Sequence, residues 1–507
     1  MFGSIIFDDE ITLWWGLHEF GNADLYKLYL DGACHGETKK THYSFLGLRS
    51  KTLYHVRVES YFNGEVVARK EYAFDTKPIK RRIDATMPPY NAVGDGCKLN
   101  TQALQWALDN CTENDCVYLP KGVYLTGALN IRSNTEIYLD EGAVLQGTDH
   151  ETDYLPKIKS RFEGTEMMCY RSLLNLGELD NQAGYTCENI AIRGKGAIYG
   201  GGRPLAVNIL ESEKIALKTY MEENAEYVKT CENIDTIPGR ARGRLINISN
   251  CKNIVLSGIE MGYGASWNIH FIYSKNIVTY GCKIRSDAWY DEYGTLVKEG
   301  VWNGDGWDPD SSEDCVVFDT IFDTYDDGIA IKSGKNPEGN LVNRPTKNIY
   351  VFDCKGKHGV AVGSELSGGV ENVYVWDCEY LQSTKSINLK TTVTRGGYIK
   401  NVVVKNCKLM GISLRTSVGF NNDGEGAGVL TELDGFHFEN LRLIGNNKGV
   451  QNKRIQSTPI YLEGFDRENC AKNITLKNIV VEKLTDGDTQ KVIIENVEKI
   501  TQDVIFE

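Results

Sequence analysis

The chain has 507 residues, of which 41% are apolar and 25% are charged, and its formal net charge is -13. This acidic balance argues against nonspecific nucleic-acid binding, because no basic excess is present to neutralise phosphates. The 51 glycines and only 11 prolines exclude a collagen or a disordered chain and favour many tight turns between short strands. At this length we expect two domains or one long repeat array.

The sequence also sets expectations about membranes, metals and compartment. It has no run of about 18 apolar residues, so we expect no membrane partner. The first ten residues lack the basic and apolar segments of a secretory leader. The 14 cysteines contain no CxxC pair, which argues against zinc. Several of them recur at one position of a repeat, as expected for small apolar residues in a reduced, cytoplasmic protein.

Residues 1–78 are predicted to form a small β-sandwich. The segment contains about seven short strands and no helical period. In residues 48–58 apolar and polar side chains alternate, and Tyr54 is placed like the tyrosine corner of an immunoglobulin-like sandwich. The segment resembles a fibronectin type III module, and we assign it no catalytic group.

Residues 79–507 are predicted to form the second domain, which begins with a capping helix after the basic linker Lys80–Arg82. Asn100 or Thr101 can serve as the N-cap of this helix. A helix ahead of a long β array would cover the open end of a solenoid. It is the one clear amphipathic helix that we expect. Its apolar face is formed by Ala103, Leu104, Ala107, Leu108 and Cys111.

From Val117 onward the pattern is all β and repeats. An asparagine followed by a β-branched residue recurs, and several of the intervals, 23, 24 and 29 residues, suit one coil with loops of variable length. This predicts a parallel β-helix in which inward asparagines and cysteines form ladders from coil to coil. The repeat asparagines are Asn189, Asn253, Asn276, Asn348, Asn372, Asn401 and Asn473.

Three carboxylates stand in two neighbouring segments of this repeat. Asp305 lies in the stretch 303–308, and Asp326 and Asp327 follow after 21 residues, so the acids should lie on consecutive coils about 4.8 Å apart. Glycosidic cleavage needs a proton donor for the leaving oxygen and a base for water. Crowded carboxylates also raise the pKa of one acid. Acidic turns of this kind occur in calcium sites and in solvated loops as well.

Two basic side chains continue the line at coil intervals. His358 lies 31 residues after Asp327, and Lys390 follows within the strand-like segment 387–391. Residues 328–400 hold ten Lys or Arg against six Asp or Glu, so an acidic partner can bind locally in spite of the negative net charge. Chance variation along a solvated surface is equally compatible with this count.

These motifs resemble the successive signatures of the polygalacturonase-type glycoside hydrolases, family 28. The resemblance covers about residues 83–480 and implies a right-handed, pectin-lyase-like parallel β-helix. Together with the fibronectin-like module, the chain is most similar to the bacterial exo-acting members. The motifs that carry the resemblance are Asn303–Gly306, Asp326–Gly334, His358–Gly359 and Lys390, with Arg244–Ile246 and Ser266–His270.

The resemblance implies an inverting hydrolase of α-linked galacturonides that uses no cofactor and no metal. By position, Asp326 would be the general acid, and Asp305 with Asp327 would hold and deprotonate the water. His358 would support protonation of the acid, and Lys390 would pair with a substrate carboxylate. The further substrate-binding candidates are Asn303, Lys332, Trp267, His270 and Asn388.

The sequence departs from the family pattern at two positions. Asn388 stands where the family has an arginine, and Lys357 stands where it has a glycine before the histidine. An amide cannot replace a bidentate guanidinium, so a rhamnogalacturonan fragment with fewer carboxylates is a rival substrate. Lys357 or Arg395 could instead supply the missing contact.

An aromatic and charged insertion, Ser286–Tyr293, precedes the first acidic motif. We hypothesise that it closes one end of the groove and enforces release from a chain end. The alternative is a surface loop that packs on the N-terminal module.

Two other functions fit a β-helix with acidic loops. A pectate-lyase-type enzyme would abstract a proton beside the carboxylate, usually with calcium, and leave an unsaturated product. A non-catalytic solenoid would bind glycans or partners without cleaving them. The oligomeric state is left open by the sequence.

Overall fold

The computed structural model describes residues 1–382, 386–419, 421–444, 458–482 and 492–507. The chain divides into two compact units, Met1–Arg82 and Ile83–Glu507. This division lies slightly beyond the 78/79 boundary expected from the sequence. Among the described residues, no helix is long and apolar enough to span a bilayer.

The first unit contains seven antiparallel strands in two sheets that share one core, which includes Trp15, Phe45 and Val58. In chain order, the first, second and fifth strands form one sheet, and the fourth, third, sixth and seventh form the other. The hydroxyl of Tyr54 accepts a hydrogen bond from the Arg49 backbone N–H at 2.9 Å, which is the tyrosine-corner contact expected from the sequence. The strands are Phe2–Ile6, Glu10–Trp15, Leu25–Leu30, Ala33–Thr38, His42–Leu46, Leu53–Phe62 and Glu65–Asp75.

The second unit is a parallel β-helix with three faces, so the predicted architecture is confirmed. The helix Thr101–Asp109 precedes the coils and buries Leu104, Ala107 and Leu108. The connecting strand Arg81–Asp84 spans the division, and Asp95–Leu99 pairs with the first strand of the second face.

The first face contains Asp115–Leu119, Glu136–Leu139, Cys187–Gly194, Cys251–Ser257, Lys275–Tyr280, Glu313–Phe318, Thr346–Phe352, Val370–Trp376, Tyr398–Lys405, Glu432–Leu443, Ala471–Val481 and Val497–Phe506. The second face contains Gly122–Thr126, Ala143–Gly147, Ala197–Tyr199, Glu260–Gly262, Lys283–Arg285, Ile321–Asp323, Lys355–Gly356, Glu379–Tyr380 and Lys408–Leu409. The third face contains Leu129–Ile131, Leu174–Leu176, Ile246–Ser249, Ile269–Ile272, Trp307–Asp310, Ile329–Ile331, Val360–Val362, Ile387–Lys390, Ile412–Arg415, Ile460–Glu463 and Val492–Glu495.

Alternation of side chains along the third face separates the core from the outer surface. Trp307, Ile329, Val360 and Ile387 stack in register from coil to coil and are buried in the core. The residues that alternate with them along each strand therefore point outward, and the polar motifs of the sequence lie on this outer surface.

The asparagine ladder exists but is not inward, which corrects the sequence-based prediction. Asn276 donates to Asn253, and Asn253 donates to Asn189, at 2.8 and 2.9 Å. These residues have positive φ values between 55° and 61°, lie near the starts of first-face strands and face solvent, and asparagine tolerates the left-handed conformation. The cysteine ladder is inward as predicted: Cys187 pairs in register with Cys251, and both are buried.

The helical content is larger than expected, because an insertion between the second and third faces is helical. Its first helix, Gly202–Ala216, buries Leu205, Ala206 and Ile209 at helical spacing, a signal that the sequence contained. The other helices are Lys218–Glu223, Ala225–Val228, Thr236–Gly239 and Glu338–Val342, with a 3-10 turn at Glu151–Tyr154. Two antiparallel hairpins also leave the coils: Ile158–Phe162 with Thr165–Cys169, and Trp289–Tyr290 with Leu296–Lys298.

Candidate active site

The register of the third face brings the three acids together. Trp307 pairs with Ile329, so the coil step here is 22 residues and places Asp305 beside Asp327 rather than beside Asp326. The backbone N–H of Gly306 donates to the Asp327 carbonyl at 3.0 Å, in agreement with this register. Asp326 is adjacent in the chain, and its carboxylate accepts the Asp327 N–H at 2.9 Å.

The acids differ in exposure. Asp305 is 4% exposed and Asp327 is 2% exposed, whereas Asp326 is half-buried. Burial raises the pKa of Asp305 to about 7; the ammonium of Lys332, at 3.4 Å, opposes this shift, and the charges of Asp326 and Asp327 add to it. Asp305 therefore changes its protonation state near neutral pH.

Two ammonium groups face the acids. Lys390 lies 2.8 Å from Asp327, and Lys332 contacts both Asp305 and, at 3.7 Å, Glu365. Burial opposes the charged form of Lys332, but Asp305 and Glu365 raise its pKa above the usual range. Lys390 is thus an ion-pair partner of a catalytic candidate in this structure, whereas the resemblance assigned it to a substrate carboxylate.

Glu365 and Asp308 belong to the site but were not selected from the sequence. Against the effect of burial, Lys332 and Arg395 hold the pKa of Glu365 at about 2, so it is a permanent anion. Asp308 is fully buried, and neither of its carboxylate oxygens has a hydrogen-bond partner among the described residues. Burial and the charge of Asp305 hold the pKa of Asp308 well above its usual range.

The position of Asp308 could have been found from strand alternation. It pairs in register with His270 on the preceding coil and points outward from the strand Trp307–Asp310. By this alternation, an acid on the outer face three residues after Asp305 is predicted to belong to the site.

His270 and Trp267 are covered by the hairpin Ile158–Cys169. Phe162 of the hairpin stacks on Trp267 with ring centroids 4.9 Å apart, and Arg161 pairs with Asp310 at 2.7 Å. His270 is 0% exposed and contacts Asp310 at 3.2 Å. Burial lowers the pKa of His270 to about 4.

The His270 ring is thus fully buried, and it shares Asp310 with the hairpin residue Arg161. Trp267 supports the site indirectly, since the Lys332 ammonium lies 4.6 Å from its ring centroid.

The remaining candidates surround the acids. Asn303 is half-buried, and its side-chain oxygen accepts from Arg242 at 2.7 Å. His358 is half-buried and aligned with Asp327 on the next coil, because Ile329 pairs with Val360. Asn388 accepts a hydrogen bond from Arg415 at 2.9 Å.

The two cations considered as substitutes for the missing arginine are engaged elsewhere. Lys357 forms an ion pair with Asp287. Arg395 is fully buried and donates to Asn336 at 2.7 Å and to the Asn421 carbonyl at 3.0 Å.

The site therefore consists of clustered acids and facing ammonium groups on one outer face of a parallel β-helix. The sequence model of Glycosyl hydrolases family 28 matches residues 157–502, and the chain belongs to this family.

The relatives with known names agree with this assignment. The exo-poly-alpha-D-galacturonosidase of Dickeya chrysanthemi is 26% identical over 356 residues, which cover 67% of this chain and 56% of that protein. A probable polygalacturonase of Vitis vinifera is 27% identical over 339 residues, which cover 64% of this chain and 60% of that protein. The chain thus spans less than two thirds of the length of these curated relatives.

Solved structures share the fold. The family 28 exopolygalacturonase of Yersinia enterocolitica has a TM-score of 0.76 at 20% identity, covering 99% of this chain and 97% of that chain. The hyperthermoactive exopolygalacturonase of Thermotoga maritima has a TM-score of 0.66 at 23% identity, covering 84% of this chain and 91% of that chain.

Proposed function

We propose that the protein hydrolyses α-galacturonosyl linkages in pectic oligosaccharides with inversion at the anomeric carbon. The observation that carries the proposal is the stacking of Asp305 beside Asp327, with Asp326 adjacent, on the outer face. The ammonium groups of Lys332 and Lys390 give this acidic cluster the countercharge that an acidic sugar requires. Relatives named as galacturonosidases and polygalacturonases support the same substrate class.

In the proposed reaction Asp326 protonates the glycosidic oxygen as the bond from the anomeric carbon to that oxygen breaks. A water molecule held by Asp305 and Asp327 attacks the anomeric carbon from the opposite side and gives its proton to this pair. Lys390 pairs with Asp327 at 2.8 Å and orients it as a water-binding group. His358, one coil beyond Asp327, supports the protonated state of Asp326.

The acid role of Asp326 has a direct test. Asp326→Asn should reduce kcat on oligogalacturonides by about 100- to 10,000-fold, the usual contribution of a general acid, without changing the thermal midpoint. The matched control is Asp323→Asn on the neighbouring strand, which should retain activity. Near-normal turnover of Asp326→Asn would remove it from the acid role. A product that absorbs in the near ultraviolet would indicate elimination instead of hydrolysis.

We further propose that cleavage occurs at a chain end. The segment after Ser286 forms the hairpin Trp289–Lys298, and the ion pair between Lys357 and Asp287 fixes its base next to His358. The hairpin residues Val297 and Lys298 line a cavity of about 540 Å³. A hairpin at this position would close the groove on one side and admit only an end of the saccharide.

For the first unit we propose a fibronectin type III-like module, and for the protein a cytoplasmic location. The sheet arrangement and the contact between Tyr54 and Arg49 support the first proposal. The second is supported by buried cysteines of the coils, such as Cys187, Cys251 and Cys354, none of which forms a disulfide. Cell fractionation tests the location, with the protein expected in the fraction of a cytoplasmic marker.

A further inference from the structure

We propose that Arg415, on the coil after Lys390, is the guanidinium that binds a carboxylate of the galacturonide, and that Asn388 positions it. The inference rests on the proposed function and names a specificity-determining residue for it. Lys390 pairs in register with Arg415, and Asn388 pairs with Ser413. Ile412 and Leu414 of the same strand are buried in the core, so Arg415 points to the outer face that carries the acids.

The other cations of this face are already neutralised. Lys332 contacts Asp305 and Glu365, Lys390 contacts Asp327, and Arg161 contacts Asp310. Within the described part of the chain, no carboxylate lies at ion-pair distance from the half-buried Arg415. A cation held away from water without a countercharge is costly, and a bound anion relieves that cost.

A neighbouring carboxylate is present but is hydrogen-bonded to other groups. Glu463 follows Arg415 in register on the next coil, because Leu414 pairs with Leu462. The Glu463 carboxylate instead accepts hydrogen bonds from the Thr416 N–H at 3.2 Å and the Ser417 hydroxyl at 3.0 Å. The fold therefore leaves the guanidinium available to a ligand.

Asn388 holds the guanidinium in place. Its side-chain oxygen accepts from Arg415 Nη2 at 2.9 Å and from the Ser413 hydroxyl at 3.0 Å. Neither the Nδ2 group of Asn388 nor the Nε group of Arg415 has a partner among the described residues, and both are buried. A guanidinium that keeps an unpaired N–H donor suits a carboxylate, which offers acceptor oxygens only.

This arrangement explains the departure at position 388. The guanidinium comes from the next coil, about 4.8 Å farther along the axis at its backbone, and leans back toward Asn388. A galacturonide with a carboxylate on each sugar thus remains a suitable substrate, which weakens the case for a substrate with fewer carboxylates.

The test measures binding and turnover for the full-length enzyme and for Arg415→Gln, with Arg415→Lys and Arg442→Gln as comparisons. Arg442 is an exposed arginine outside the third face and serves as the matched control. Loss of charged hydrogen bonds should raise KM for trigalacturonate by roughly 10- to 100-fold with a smaller change in kcat. Arg415→Lys should recover part of the loss, and Arg442→Gln should behave like the wild type.

A second readout separates recognition from a structural role. The preference of the wild type for trigalacturonate over its methyl ester should fall in Arg415→Gln by the same factor as the affinity for the acid. Unchanged affinity for the acid, or an equal loss on acid and ester, would overturn the inference. Calorimetry in the Asp326→Asn background measures binding without turnover. A wild type that neither binds nor cleaves galacturonides would refute the proposed function and this inference together, whereas cleavage with unaltered Arg415→Gln binding refutes only the inference.

Discussion

Removal of the Lys332 charge should shift the ionisation of Asp305 to higher pH. The Lys332 ammonium lies 3.4 Å from the Asp305 carboxylate, and burial already raises the pKa of Asp305 to about 7. Two unit charges at this separation interact by about 5 kcal/mol at an effective dielectric constant of about 20, which corresponds to an upper limit of roughly 3.5 pKa units. Because Lys332 is shared with Glu365, we expect Lys332→Met to raise the pKa of Asp305 by about 2 units.

The expected result is a displaced pH profile. If Asp305 accepts the proton of water, it must be ionised, so the ascending limb of kcat/KM should move from about pH 7 to about pH 9. At pH 7 the ionised fraction then falls from about one half to about 1%, and kcat/KM should fall about 50-fold. Activity should recover as the pH approaches 9.

Reducing-end release from trigalacturonate between pH 4 and pH 10 measures this profile. Lys332→Arg keeps the charge and is the control, with an ascending limb close to that of the wild type. An ascending limb that stays at pH 7 in Lys332→Met would refute the electrostatic link. A descending limb that moves upward instead would show that Asp305 is the acid and not the base.

Two further predictions follow from the site and the hairpin. Asp305→Asn should lose activity, and its stability relative to the wild type should increase between about pH 4 and pH 7. A carboxyl whose pKa is raised by burial stabilises the fold fully below its unfolded pKa, and this contribution is lost as the pH rises through the folded pKa of about 7. Over the full range the change is on the order of 4 kcal/mol, and thermal unfolding of both proteins at each pH measures it; a pH-independent difference would contradict the burial argument. Shortening the hairpin Trp289–Lys298 should produce internal cleavage of long oligogalacturonides, detected by chromatography of the products, and an unchanged product pattern would refute its role in chain-end cleavage.

The sequence predicted that the acids lie on neighbouring coils of one face, because a repeat of nearly constant coil length aligns motifs that lie far apart in the chain. It missed the register by one residue, since loop lengths alone do not distinguish a step of 21 from a step of 22. Asp305 therefore stacks on Asp327, and Asp326 stands beside the pair.

The burial of His270 could not be predicted from the repeat. Its burial depends on the hairpin Ile158–Cys169, which leaves the coils more than 100 residues earlier and returns to cover the outer face. Such contacts arise from tertiary packing and not from local periodicity. The same holds for Arg415, because its availability to a ligand depends on Asn388, one coil away, and on the hydrogen bonds of Glu463.

The outward position of the asparagine ladder has a local cause. Each repeat asparagine adopts a left-handed backbone conformation, as Asn253 and Asn276 show, and its side chain bonds to the equivalent asparagine or aspartate of the preceding coil. Sequence spacing established the ladder, whereas the backbone conformation determined that it faces solvent.

Hydrolysis of a galacturonide with inversion can be followed by proton NMR of the first-formed product. With trigalacturonate as substrate, inversion at the α-linkage means that the newly formed reducing sugar appears first as the β-anomer and then mutarotates. A product that appears first as the α-anomer would contradict inversion. An unsaturated product, or binding without release of reducing ends, would contradict hydrolysis itself.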